Sequence, residues 1–249
     1  AGGGQGSFMI YPQWPAPAHV RAVSTTRTGG VSQPPYDSFN LASHVGDQGG
    51  AVQANRRQLV KRLGLAVEPV WLEQVHGDKV VNAALVAGTP PADASYTQQP
   101  GVVCAVMTAD CLPVLFCDRQ GEVVAAAHAG WRGLASGVLE ATVAAMGAPV
   151  DSLLAWLGPA IGPAAFEVGD EVRTTFVDRQ AKATAAFSRS GNGRWLADIY
   201  QLARFRLASA GIDQIYGGGF CTFTESNRFY SFRRQPTTGR MASLVWIAA

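Results

Sequence analysis

The stretch Thr108-Ala-Asp-Cys-Leu-Pro-Val-Leu-Phe-Cys-Asp-Arg-Gln-Gly-Glu-Val-Val-Ala-Ala-Ala-His-Ala-Gly-Trp-Arg132 sets a thiol against an imidazole. It reads as two apolar strands joined by a tight turn, Asp118-Arg119-Gln120-Gly121, whose glycine accepts the positive φ such turns require. With Arg119 and Gln120 as a two-residue loop, Asp118 faces Gly121 and, further along the ladder, Cys111 faces His128. A bulge at Gly121 would slip the register by one and still leave the two side chains neighbours. Asp110, Trp131 and Arg132 stand beside them. Two chemistries fit. Cys111 could be a nucleophile activated by His128, as in thiol hydrolases, or both could be ligands of zinc, which then needs a third. The chain has four histidines. His19 lies in a proline-rich edge, leaving His44 and His76 as candidates. Three protein ligands with a fourth position open is the arrangement of catalytic zinc, which makes a water acidic.

Several elements must bring these residues together. Met9 to Thr26 reads as a proline-broken edge strand. The segment from Ser24 to Asp47 shows little periodicity and is too long for a mere connector, so it is expected to be a functional loop. In it Arg27, beside Gly29-Gly30, could cradle an anion with exposed backbone N–H groups; a solvated glycine turn is the plain alternative. Asn40 and His44 are its other polar candidates. A helix follows from about Ala51 to Leu63, with Val52, Leu59, Val60 and Leu63 on one stripe and Gly64 as its stop. Its Arg56, Arg57, Lys61 and Arg62 read as a solvated face. Pro69 to Val75 reads as a strand, His76-Gly77-Asp78 as a turn and Lys79-Val-Val as a resumed strand, with His76 at the strand end. Val102 to Met107 suits a buried strand. Beyond the hairpin, a helix is predicted from about Leu134 to Met146, ended by Gly147, its N-terminus turned toward His128. Further expectations are a strand to Leu157, a rigid turn over Gly158–Pro163, a helix over Phe166–Phe176, another from Trp195 to about Ser209, and a strand and turn over Gly217–Thr222. The polar aromatic stretch Phe229–Arg234 and a closing strand over Met241–Ile247 complete the chain. With no repeat and no regular βαβ period, this predicts an α+β fold: a single domain with mixed β-sheets flanked by helices.

Composition bounds the partners. Of the 249 residues 47% are hydrophobic and 15% charged, which excludes disorder, and a net charge of +2 argues for neither nucleic acid nor a membrane surface. No apolar run is long enough to span a bilayer. Ala1 to Phe8 reads as a cloning remnant before Met9, and residues 9–249 as the domain. No export signal follows, so a cytoplasmic location with reduced thiols is expected. Cys104, Cys111, Cys117 and Cys221 lack C-x-x-C spacing, arguing against a disulfide framework or zinc ribbon. Cys104 and Cys117 read as core residues.

Five segments in order, Glu73-Gln-Val-His-Gly77, Thr108-Ala-Asp-Cys-Leu-Pro113, Ala127-His-Ala-Gly-Trp-Arg132, Leu157-Gly-Pro-Ala-Ile-Gly162 and Phe229-Tyr-Ser-Phe-Arg-Arg234, resemble the polyphenol-oxidase/laccase-domain family. Its members are regarded as purine nucleoside phosphorylases, and bacterial ones also carry the name peptidoglycan editing factor. The resemblance runs from about Val23 to the C-terminus. It implies a Zn²⁺ site at His76, Cys111 and His128. It also implies phosphorolysis of adenosine, inosine, guanosine and methylthioadenosine, with adenosine deamination alongside. The Arg27 loop matches the family's Arg-x-Gly-Gly-Val-Ser, which strengthens its reading as an anion site. Arg27 and Arg132 are then expected to hold phosphate, since a guanidinium binds two oxygens with its planar fork. Asn40 and His44 are expected to help bind phosphate or nucleoside, and Asp110 to orient a ligand or move a proton. A cysteine hydrolase on Cys111/His128, or a protein that binds and edits peptidoglycan precursors, are the alternatives. True multicopper chemistry is rejected, because four histidines cannot ligate several copper ions.

Overall fold

The computed structural model describes residues 8–249. The remnant reading of the leading residues therefore falls, for 1–7, outside the described residues. Phe8 is described: its carbonyl accepts from Thr26 N (3.1 Å) and Thr26 Oγ1 (3.0 Å).

Two sheets lie face to face. The first has the order β1 (Met9–Ile10), β2 (Val20–Thr25), β13 (Met241–Ile247), β5 (Val103–Thr108), all antiparallel. The second runs β12 (Gln214–Gly217), β8 (Leu153–Leu157), β6 (Leu112–Asp118), β7 (Val124–Ala129), β4 (Ala94–Thr97), β3 (Val80–Asn82). It is antiparallel in the middle and parallel at both edges, β12 with β8 and β3 with β4, which bears out the mixed-sheet expectation. A small third sheet joins β10 (Phe187–Arg189), β11 (Trp195–Ala197) and β9 (Glu167–Val168).

The period of two explains the layering. In β5, Cys104 and Val106 point between the sheets, where they meet Leu115, Cys117, Val124, Ala126 and Val245. Val103, Ala105 and Met107 point the other way, onto Phe39, Leu41 and Leu59. The far face of the second sheet, with Leu112, Val114, Phe116, Ala125 and Ala127, is covered by α2 (Trp131–Ser136), α3 (Val138–Met146), α4 (Asp170–Val177) and α5 (Ile199–Ser209). Central strands buried on both faces read as unbroken apolar runs for this reason. The Cys104 and Cys117 thiols sit in this core, where burial pushes each up to about 12.

The helix α1 (Gly49–Leu63) forms as expected and ends at Gly64, which takes the left-handed φ of 63°. Its polar face is not simply solvated. Arg56 donates to Leu41 O (2.9 Å) and stacks on Trp71, and Arg62 donates to Gly29 O (2.7 Å). Asn55 is fully buried and holds the 24–47 segment at Val31 N, Ser32 Oγ, Ser38 O and Asn40 O. Four partners on one amide order a loop that periodicity alone leaves structureless; leaving such a group unpaired costs about 1–3 kcal/mol.

Several expectations are corrected. Residues 69–75 make only isolated bridges, Val70 with Cys104 and Glu73 with Pro91. The Gln74 side chain substitutes for a ladder there, exchanging two 2.7 Å hydrogen bonds with the Met107 backbone. The helix expected over 134–146 begins at Trp131 and is interrupted at Gly137, whose φ of 110° no helix interior accepts. Trp195–Ala197 is a strand, and the helix behind it starts only where Asp198 caps Gln201 N (3.0 Å). The strand expected over 217–222 lies earlier, at Gln214–Gly217. The 166–176 helix is likewise a two-residue strand followed by α4 from Asp170. Among the described residues no helix is long and apolar enough to cross a membrane.

Candidate metal centre and its cavity

The hairpin that carries the thiol and imidazole forms with a wider turn than a two-residue loop. Asp118 N donates to Val123 O (3.2 Å), while the Asp118 carboxylate accepts from the N–H groups of Glu122 (2.7 Å) and Val123 (2.9 Å). Pro113 therefore pairs with His128 and Leu112 with Ala129, two residues out of the expected register. A shift of two keeps every side chain on its face, so Cys111, just beyond the last pair, still meets His128.

His76 joins them. It stands in the turn after residue 75 with a left-handed backbone (φ 60°), unusual for a residue with a side chain. The potential ligand atoms of His76, Cys111 and His128 all lie within 4.8 Å of one another. The two rings meet edge to face at 4.8 Å between centroids. Gly130 makes room: a Cβ there would come within 2.9 Å of Cys111 Sγ and 3.2 Å of His76 Cδ2. One thiolate and two imidazoles, free to converge on a point, are a donor set that could hold a metal ion.

A residue that the sequence reading passed over supports this set. Asp93, fully buried at the head of β4, places Oδ1 2.8 Å from His128 Nδ1 and accepts from His76 N (2.9 Å). Its Oδ2 accepts from Gly77 N (2.8 Å) and Val75 N (3.2 Å). Burial works to raise this carboxyl, but His128 and the N–H donors of Gly77 and Val75 outweigh it and hold Asp93 below the usual carboxylate range. Burial likewise opposes ionisation of Cys111, yet the charge and hydrogen bond of His128, with His76, bring the thiol down to about 6. His128 is raised to about 9: desolvation lowers it, and the Cys111 thiolate and Asp93 overcome that. The only sequence signal for Asp93 was a carboxylate opening a short Ser-Tyr-Thr strand, too slight to mark it.

The trio lies in the wall of a cavity of about 350 Å³, within the roughly 300–1,000 Å³ usual for small-molecule sites. His44, Asp110 and Arg132 line it as well, with Trp131, Phe166 and Phe232, and with two arginines not singled out before, Arg233 and Arg240. Partial burial and the charges of Arg240 and Arg56 keep the imidazole of His44 below the ordinary histidine range, favouring its neutral form. Asp110, itself at φ 99°, has both oxygens engaged, by Thr222 Oγ1 (2.7 Å) and by Arg233 N (2.7 Å).

Arg27 and Asn40 are not brought to this cavity. Arg27 donates to Asp37 O (3.0 Å) and Ser226 O (3.1 Å) and lies 4.8 Å over the Tyr230 ring. Asn40 is fully buried; it bonds Ala42 and Asp47 and accepts from Arg240 N (2.9 Å). It thus braces the backbone of a cavity residue from behind. His19, dismissed as a ligand, contacts Gly121 O (3.2 Å) at the hairpin turn.

The model of the family described as multi-copper polyphenol oxidoreductase laccase matches residues 21–248. The chain belongs to this family. A purine nucleoside phosphorylase of Pseudomonas aeruginosa is 61% identical, aligned over 96% of this chain and 98% of that protein. Purine nucleoside phosphorylase YfiH of Escherichia coli is 58% identical over 97% of this chain and 99% of its own. A crystal structure of a Neisseria meningitidis protein superposes with a TM-score of 0.94 at 52% identity, covering 97% of this chain and all 100% of that one. YlmD of Geobacillus stearothermophilus gives 0.87 at 31% identity, with 93% of each covered. The chain thus shares its fold with solved relatives along nearly its whole length.

Proposed function

We propose that this protein is a zinc-dependent purine nucleoside phosphorylase that cleaves adenosine, inosine, guanosine and methylthioadenosine with phosphate and also deaminates adenosine. One observation carries the reading: a His–Cys–His set shares a cavity with Arg132, Arg233 and Arg240, whose guanidinium groups form no salt bridge with a carboxylate among the described residues. The name purine nucleoside phosphorylase, carried by the relatives, supports its phosphorolytic part.

Phosphorolysis needs phosphate held beside the anomeric carbon while positive charge builds on the sugar. The cationic side chains of the cavity supply that hold. Arg240 is the strongest candidate: burial works against its charge, partly offset by Cys111 and Asp110, and its Nη1 is occupied by Thr238 O and Gly239 O (both 3.0 Å). Its other donors remain for an anion, which would relieve the burial cost. Arg132, stacked on Trp131 at 4.5 Å, and Arg233, whose Nη1 donates to Glu167 O (2.8 Å), complete the phosphate side. A neutral His44 can donate one N–H to phosphate or ribose without adding charge. Trp131, Phe166 and Phe232 offer flat apolar surface to a purine. Asp110 holds the Arg233 backbone and Thr222 and, with one bond on each oxygen, keeps lone pairs with which to orient a ligand or take a proton. Bound at His76, Cys111 and His128, zinc would supply a Lewis acid for substrate oxygens and for the water used in deamination. The cytoplasm, with its soluble nucleosides and reducing conditions, suits such an enzyme.

The lowered Cys111 thiol, with His128 and Asp93 behind it, favours one second reading, a cysteine hydrolase. Incubating the purified protein with adenosine and with inosine, with and without phosphate, and separating the products tests the proposal. Free base and ribose 1-phosphate should form only with phosphate, and inosine should form from adenosine without it. Absence of all of these products under both conditions rejects the assignment. A zinc-free preparation that keeps full activity and is killed by thiol alkylation selects the hydrolase.

A further inference from the structure

We propose that Asp93 is the positioning residue of the metal centre, one carboxylate that decides which His128 nitrogen is offered to the ion and aims His76 at the same point. This rests on the zinc reading above. Asp93 is fully buried, and the side chain it faces is no lysine or arginine but the imidazole of His128, itself 3% exposed. A buried polar pair is poor evidence of stabilisation, since replacing both partners by apolar side chains of similar volume is often neutral or stabilising. The hydrogen bonds of Asp93 point instead to the ligands. Oδ1 occupies His128 Nδ1 at 2.8 Å, which places the imidazole proton on Nδ1 and leaves Nε2 as the nitrogen with a free lone pair. The same oxygen accepts from His76 N at 2.9 Å, and Oδ2 accepts from Gly77 N and Val75 N. Three consecutive N–H groups gathered on one carboxylate hold the 75–77 turn and with it the left-handed backbone of His76. Asp93 is held rigidly in turn, because His128 N donates to Asp93 O (2.7 Å) and Ala94 pairs with Ala127. Two of the three ligands, far apart in sequence, are thereby set by a single side chain.

The test compares the parent protein with Asp93→Asn and Asp93→Ala. An asparagine keeps one acceptor for His128 and cannot accept with its amide nitrogen, so it should fall between parent and alanine. Zinc affinity, read by competition with a chromophoric chelator, should drop about 10–100-fold in Asp93→Ala, and the visible absorption of the cobalt-loaded protein should change. Variants that fold, by circular dichroism, and bind zinc as tightly as the parent overturn the proposal while leaving the metal reading intact. Should the variants not fold, ¹⁵N shifts of His128 in the zinc-loaded parent decide: a protonated Nδ1 and a metal-bound Nε2 are expected, and the reverse tautomer overturns it. A parent that takes up no zinc overturns the metal reading itself, and this inference with it.

Discussion

The proton inventory of the ligand residues has consequences that can be measured. With Cys111 lowered to about 6 and His128 raised to about 9, the metal-free site at neutral pH holds a thiolate beside an imidazolium. An ion that takes both ligands must displace the His128 proton, because only neutral imidazole binds metal. Zinc uptake near neutral pH should therefore release about one proton from this pair. Calorimetry in two buffers of different ionisation heat reads the number directly, and a heat independent of buffer would falsify the ionic pair. The sign sets the pH dependence: affinity rises with pH until His128 is neutral, and falls more steeply once the medium is acidic enough to protonate Cys111 as well. Removing the thiol separates the two chemistries open to it. Cys111→Ala should lose bound zinc and activity together, measured by metal analysis and product assay. A variant that stays loaded and is dead would make Cys111 a nucleophile.

At the scale of elements, the site depends on how short segments end. Gly130 caps the N-terminus of α2 in an ordinary conformation (φ −66°), so alanine there strains no backbone. Its methyl would press on Cys111 Sγ and His76 Cδ2. Gly130→Ala should therefore weaken zinc binding about 10-fold or more while leaving the melting temperature of the metal-free protein within a few degrees; equal affinity would show that the ligands do not converge as described. The two arginine-bearing loops should likewise part company. Arg27→Ala removes hydrogen bonds to Asp37 and Ser226 and should destabilise by about 1–2 kcal/mol without raising the KM for phosphate. Arg240→Ala should raise that KM at least about 10-fold, the loss expected of one charge-assisted contact; the opposite ranking would return the phosphate to the Arg27 loop. Much of this scale was legible beforehand. The long apolar strands, α1 with its Gly64 stop and the meeting of the Cys111 and His128 side chains follow from periodicity and turn chemistry. The misses have physical causes. Hairpin register depended on Asp118 capping its own turn. Strands of two to four residues, β4 and β9–β11, carry too little periodicity to declare themselves. Asp93 and Arg240 act through partners distant in sequence, which no local pattern reveals. Arg27 carried an anion motif whose guanidinium the fold uses for itself.

In the whole molecule the two large sheets pack face to face, and the candidate ligands lie where the chain passes from one to the other. Cys111 sits in the link by which the chain leaves β5 of the four-stranded sheet and enters β6 of the six-stranded one. His128 is near the end of β7, beside it. His76 ends a segment that touches β5 through Val70 and is tied to Met107 through Gln74. An ion held by all three would join both sheets and the 69–78 segment, a set of contacts that the unfolded chain cannot assemble. Binding to the native state alone stabilises it by mass action, about 4 kcal/mol when free metal exceeds its dissociation constant a thousandfold. For a chain of this size each kcal/mol moves the melting temperature by about 2–4 °C, so stripping the metal should lower it by about 10 °C. Because that junction belongs to both sheets, the loss should appear as a shift of one cooperative transition rather than as a new early one. Differential scanning calorimetry with and without chelator measures it, and Cys111→Ala should melt at the lower temperature whether or not chelator is present. A parent protein whose melting does not respond to metal removal would mean that the trio binds no ion strongly enough to link the sheets.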